Sequence, residues 1–214
     1  MVIEALWAGG ESLDSVLERR GYVDVAALGV GIEVRLMYAR EDNFTGRVLY
    51  PEGVLERAWL HRDAAEALER AGRLLEELAP GVHLLVKDAG RPMSVQRAMY
   101  RAVAGSPKAR YVANPARGGG LHNYGLAVDV TLADGNGNEL PMGTEVDYLG
   151  AEANIDREEA LVGRGVISET ERQNRLLLRR VMCEAGFSTI RTEWWHFNLC
   201  SREVARRKYE LFDF

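Results

Sequence analysis

Apolar positions recur at helical spacing between Ala58 and Leu78, with Ala64, Leu68, Ala71, Leu75 and Leu78 on one face, until Pro80-Gly81 stops the run. His61, near the start of that helix, reads as a surface residue. Residues 82–88 read as a largely buried strand that delivers Ala89-Gly90-Arg91-Pro92 at its end, with His83 as a half-buried structural histidine. A helix over 94–104 leads into a loop over 105–120 that contains Pro115 and Gly118-Gly119-Gly120. Residues 126–132 form a β-run, closed by the turn chemistry of Asp134-Gly135-Asn136-Gly137-Asn138 before Glu139-Leu140. Ser168-Glu169-Thr170-Glu171 is a capping box for a helix that reaches about Ala185, where Gly186 ends it. A last strand over 191–199 and a short helix near 202–209 complete the chain. Upstream, Ser12 caps a short helix over 12–20, residues 32–38 alternate as a strand, and 41–46 are dense in turn residues.

Helices and strands mix without a regular βαβ rhythm, which predicts one α+β domain. No repeat, low-complexity tract or linker divides residues 1–214. With 47% hydrophobic and 28% charged residues, the composition is that of an ordinary soluble domain. The formal net charge of −5 argues against a nucleic-acid or anionic-membrane surface. Cys183 and Cys200 read as buried free thiols, with a single disulfide as the alternative, and no CxxC pair offers a thiolate metal site. Met1 to Trp7 lacks the basic and apolar regions of a leader, and no apolar stretch has membrane-spanning length. The expectation is a cytoplasmic protein.

Two short segments carry candidate chemistry: Leu121-His122-Asn123-Tyr124-Gly125-Leu126-Ala127-Val128-Asp129 and Glu193-Trp194-Trp195-His196. His122, Asp129 and His196 supply three N/O ligands, and Glu193 a spare carboxylate, which is the inventory of a catalytic zinc site with one open position. Glu193 and His196 are three residues apart, so a regular strand would point them to opposite faces; both reach one site only if the strand is bulged. Each segment alone also fits an ordinary role, His196 as a packed histidine in an aromatic strand and Asp129 as a turn cap. Arg91, held between a buried strand and a proline, is either a surface residue or a donor for a substrate carboxylate or oxyanion.

The residues together resemble the D-alanyl-D-alanine dipeptidases of the vancomycin-resistance type, zinc peptidases of the LAS group. The resemblance begins near Tyr38 and Asp42-Asn43-Phe44-Thr45-Gly46 and runs through Asp88-Ala89-Gly90-Arg91-Pro92. It continues in His122-x-x-Gly125-x-Ala127-x-Asp129, Pro141-Met142-Gly143 and Asp147, and ends in Glu193-Trp194-Trp195-His196. It implies a Hedgehog/D,D-peptidase-like fold: a central, mainly antiparallel sheet flanked by helices, with a small, nearly closed cavity. It implies one zinc ion on His122, Asp129 and His196, Glu193 as general base and Arg91 as transition-state donor. Asp147 falls where an acidic residue meets the free amine of the dipeptide. The first 30 or so residues carry no recognised motif, and 1–30 are read as an extension of unassigned role. The chain departs from the family at Gly90, where an aromatic is frequent, and at Gly120-Leu121, where serines are frequent; both are expected in the pocket wall. The implied reaction is hydrolysis of D-Ala-D-Ala or a close relative. The alternatives are a zinc D,D-carboxypeptidase or endopeptidase of peptidoglycan stem peptides, and a non-catalytic zinc module that binds wall fragments.

Overall fold

The computed structural model describes residues 12–29, 31–50, 55 and 57–213. The stretch Met1 to Trp7, read above for a leader, lies outside them. In chain order the elements are α1 (Leu13–Arg19), β1 (Tyr22–Asp24), β2 (Ile32–Val34), β3 (Trp59–His61), α2 (Arg62–Leu78), β4 (Val82–Asp88) and α3 (Met93–Val103). There follow β5 (Ala127–Asp134), α4 (Glu158–Gly163), α5 (Glu169–Glu184), β6 (Ser188–Ile190), β7 (Glu193–Asn198) and α6 (Arg202–Lys208). Short 3-10 turns fill several connections, including Leu121–Tyr124.

The main sheet has the order β2-β4-β5-β7-β6, and β1 pairs with β3 in a two-stranded ribbon. Only the β2–β4 pairing of the main sheet is parallel; the other three are antiparallel, the mainly antiparallel α+β arrangement expected from the sequence. Helices α2 and α5 pack on each other and on the central strands. The face of α2 that does so is small: Ala64, Ala65, Ala67, Ala71 and Gly72 are buried beside Leu68 and Leu75, so helix and sheet approach closely. The α5 helix starts on the capping box read from its sequence, with Glu171 N donating to Ser168 Oγ at 3.2 Å and Ser168 N to the Glu171 carboxylate at 2.5 Å. The turn after β5 winds around Asp134, whose Oδ1 accepts from the backbones of Asn136 and Asn138, both at 2.9 Å.

Two expectations shift. The strand over 32–38 ends at Val34, because Met37–Ala39 turns into a 3-10 helix that buries Tyr38. The helix starts at Arg62 rather than Ala58: Ala58 to Leu60 are apolar, but Trp59 and Leu60 pair with β1, and His61 is not a bare surface residue but the cap, its Nδ1 accepting from Asp63 N. From α1 onward the segment read as an extension packs into the same core, where Leu17, Tyr22 and Val25 are buried and Tyr22 pairs with His61.

Candidate active site

Asp129 and His196 are direct cross-strand partners on β5 and β7, so both side chains project from the same face. The next pair, Val128 and Phe197, turns to the opposite face and is fully buried. Glu193 joins His196 through the irregularity foreseen in the sequence. The β6–β7 register runs Thr189↔Phe197 and then Ile190↔Glu193, leaving Trp194, Trp195 and His196 opposite a single step. Neighbouring Trp194 and Trp195 are both buried, with ring planes at 90°. A second irregularity, in β4 between Val86 and Asp88, sets Asp88 across from Asp129.

His122 comes from a 3-10 turn rather than a strand. Gly125, at φ +65°, ends that turn, and a Cβ there would lie 2.7 Å from Tyr22 Cε1 and 2.8 Å from the backbone nitrogen of His61. Asn123, fully buried, ties the turn from both sides: its Oδ1 accepts from Gly120 N at 2.8 Å and its Nδ2 donates to Arg91 O at 2.7 Å. The His122 carbonyl in turn accepts from Arg91 N at 2.9 Å, so the turn and the Arg91 backbone are one unit.

The result is a cluster in which one donor atom each from His122, Asp129 and His196 lies within 4.8 Å of the others. His122 Nε2 is 3.2 Å from His196 Nδ1 and 3.3 Å from Asp129 Oδ2; His196 Nδ1 is 2.9 Å from Asp129 Oδ1. The remaining ring nitrogens have outer partners. His122 Nδ1 donates to the Ala89 carbonyl at 2.7 Å, and His196 Nε2 donates to Asn198 Oδ1 at 2.9 Å. A carbonyl only accepts, so His122 keeps its proton on Nδ1 and turns a lone pair inward from Nε2; Asn198 does the same for Nδ1 of His196. Two inward ring nitrogens, able to turn lone pairs on a cation once deprotonated, beside a buried carboxylate fit a metal.

The electrostatics agree. Burial opposes ionisation of Asp129, but His122 and His196 outweigh it and hold the carboxyl well below the usual range. Burial pulls the His196 imidazole down, and the hydrogen bond and charge of Asp129 more than reverse this, to about 9. Glu193 is pushed up to about 7, mainly by burial, with Asp129 adding to the rise and His196 and Arg91 opposing it.

Arg91 is buried, not a surface residue. Its Nε donates to Asp88 Oδ2 at 3.1 Å and its Nη2 to the same oxygen, while Nη1 donates to Gln96 Oε1 at 3.1 Å. That uses three of the five N–H groups of a guanidinium. Its Nη2 lies 3.9 Å from Asp129 Oδ2, and its guanidinium sits 5.2 Å from the centre of the Tyr38 ring. Tyr38 donates from its hydroxyl to Asp147, whose carboxyl burial raises to about 7, with the Asp129 charge adding to the rise. Asp88 also accepts from the Tyr50 hydroxyl at 2.5 Å.

All six residues singled out from the sequence, Arg91, His122, Asp129, Asp147, Glu193 and His196, line one cavity of about 880 Å³. That is roomier than the small enclosure the resemblance implies, and its lining includes Arg110, Arg191 and Arg202. Leu121 is in the wall as expected, but Gly90 is not: a Cβ there would meet the Trp59 carbonyl at 2.5 Å and Phe212 Cε1 at 3.3 Å, in the interior. Sequence reasoning gave no separate role to Asp88, Gln96, Asn123 or Asn198. Only Asp88 carried a signal, as a carboxylate ending a buried strand three residues before Arg91. Cys183 and Cys200 are unpaired as read, but exposed and half-buried rather than buried.

Residues 18–213 match the family model described as D-Ala-D-Ala dipeptidase. Curated relatives bear the same description. The D-alanyl-D-alanine dipeptidase of Escherichia coli is 34% identical over 177 residues, covering 83% of this chain and 83% of its own. That of Enterococcus faecalis is 30% identical over 79% of this chain and 86% of its own, and that of Streptomyces coelicolor 30% over 83% and 90%. With a metal-ready triad, a buried carboxylate and a guanidinium around one cavity, and a family match over nearly its whole length, the chain is an enzyme that belongs to the D-Ala-D-Ala dipeptidase family of metallopeptidases.

Proposed function

We propose that this enzyme hydrolyses D-Ala-D-Ala, or a closely related short dipeptide, with one zinc ion on His122 Nε2, an Asp129 oxygen and His196 Nδ1. The observation that carries the reading is the convergence of those three donors within 4.8 Å, in a cavity that Glu193, Arg91 and Asp147 also line. Zinc, when bound, polarises the scissile carbonyl and acidifies water. Glu193 takes a proton from the attacking water and delivers it to the leaving amine, a role that a carboxyl near neutrality suits. The two free N–H groups of Arg91 meet the negative charge that develops on the carbonyl oxygen, with Asp88 and Gln96 fixing the guanidinium beforehand. Asp147, braced by Tyr38, receives the substrate ammonium. The unpaired thiols of Cys183 and Cys200 fit a reducing compartment, and among the described residues no helix is long and apolar enough to cross a membrane. We place the reaction in the cytoplasm, on a small product of peptidoglycan metabolism.

The roomy cavity makes one comparison informative. Purified zinc-loaded enzyme is offered D-Ala-D-Ala and, separately, a pentapeptide ending in D-Ala-D-Ala, and D-alanine release is measured. The dipeptide is expected to be cut and the pentapeptide spared, because Asp147 demands a free amine one residue before the scissile bond. Preferential release from the pentapeptide identifies a carboxypeptidase instead.

A further inference from the structure

Asp147 stands at φ +64°, and it is the only non-glycine residue with positive φ among the described residues. Such a backbone persists where its surroundings over-determine it. Its surroundings are unusual. On α5, Arg175 is 1% exposed, and its guanidinium reaches the segment that carries Asp147 at both ends: Nε donates to Met142 O at 2.6 Å and Nη1 to Glu152 O at 3.0 Å. The same guanidinium lies 5.6 Å from the centre of the Trp194 ring. The Trp194 indole then donates to Thr144 Oγ1 at 2.8 Å, and Asn174 Nδ2 donates to Pro141 O at 2.8 Å. Asp147 thus sits midway along a strap pinned at 141, 142, 144 and 152, and one pin comes from β7 between Glu193 and His196.

Burying a guanidinium on neutral carbonyls is expensive in desolvation. The compensation is thin: Glu158 Oε1 is 3.9 Å away and Nη2 has no hydrogen-bond partner. A medium-sized apolar residue would pack α5 without that penalty, but only a planar fork joins two carbonyls at opposite ends of a loop.

We propose that Arg175 is the positioning residue of the amine subsite: by clamping both ends of segment 142–152 it fixes where Asp147 meets the substrate ammonium, and so sets the preference for unblocked dipeptides. This rests on the reading of Asp147 as the amine anchor. Arg175 touches neither substrate nor metal ligand and acts through the strap alone.

The test is steady-state kinetics on D-Ala-D-Ala with the zinc-loaded full chain, for Arg175→Met, Arg175→Lys, Thr144→Val, Asp147→Asn and the double variant Arg175→Lys/Asp147→Asn. Thermal unfolding confirms that each is folded at the assay temperature. Losing the fork should raise KM about tenfold with kcat within about threefold, the split expected when binding rather than chemistry is disturbed. Arg175→Lys should behave like Arg175→Met, because the fork and not the charge is what acts; Thr144→Val should move KM in the same direction by less. Asp147→Asn should raise KM at least as far, and adding Arg175→Lys to it should change little. Unchanged KM in folded Arg175→Lys and Thr144→Val, or independent effects in the double variant, overturns the clamp while leaving the anchor intact. Unchanged KM in Asp147→Asn removes the anchor itself, and the clamp with it. Should Arg175→Met fail to fold, the lysine and valine variants still decide.

Discussion

At the scale of single residues, the site works through hydrogen bonds that decide which nitrogen faces inward. Ala89 O and Asn198 Oδ1 hold the outer nitrogens of His122 and His196, so the inner ones are those turned toward a cation. His196 carries a second consequence. In the metal-free protein its pKa is about 9, so below that pH the inner nitrogen holds a proton that must leave when zinc binds. Apparent zinc affinity should therefore fall by roughly tenfold per pH unit below about 9 and level off above it, as one displaced proton requires. Competition with a chelating dye at several pH values between 7 and 10 measures this; an affinity flat from 7 to 9 would contradict the displacement of a proton from His196. The convergent residues His122, Asp129, His196 and Glu193 stood out in the sequence because histidine and paired carboxylates are rare and chemically specific. Their outer partners did not. Ala89 contributes a backbone carbonyl that no residue type announces, and Asn198 reads as any polar residue at a strand end.

At the scale of elements, long periodic stretches were readable and short ones were not. β4 has the bounds expected of it, 82–88, because its apolar run is bracketed by Gly81 and Pro92. α5 was marked by its capping box. By contrast β1, β3 and β6 are three residues each, too short to show a period of two, and Ala58-Trp59-Leu60 even continued the apolar pattern of α2. The bend in β7 was deducible for a different reason: two site residues three apart cannot share a face of a regular strand. Gly125 is the element-level joint between the His122 turn and β5. Replacing it by alanine forces a left-handed φ on a residue with a Cβ and drives that Cβ into Tyr22 and the His61 backbone. Gly125→Ala should destabilise the fold by more than about 1 kcal/mol and weaken zinc binding with it. Chemical denaturation and a metal titration check both; wild-type stability would mean that the turn relaxes freely.

Across the whole molecule, the order β2-β4-β5-β7-β6 brings residues from three distant parts of the chain to one cavity. β4 leads into Arg91, β5 carries Asp129, β7 carries Glu193 and His196, and the His122 turn closes over the end of β5. Arg175 and Trp194 fasten the Asp147 strap to this frame from behind. The sequence singled out the residues that the fold gathers in one cavity, and the resemblance tied them to a family. The roominess of the cavity and the interior setting of Gly90 depend on how distant segments meet, which no local pattern encodes. The central claim is that Glu193 moves the proton in zinc-dependent hydrolysis of D-Ala-D-Ala at this site. Its most direct test is D-alanine release from D-Ala-D-Ala by zinc-loaded wild type and Glu193→Gln, with bound zinc counted in each. The expected result is turnover by wild type, one zinc per chain in both, and a loss of about 10²- to 10⁴-fold in kcat for Glu193→Gln. Substantial activity in the variant, or none in zinc-loaded wild type, would contradict it.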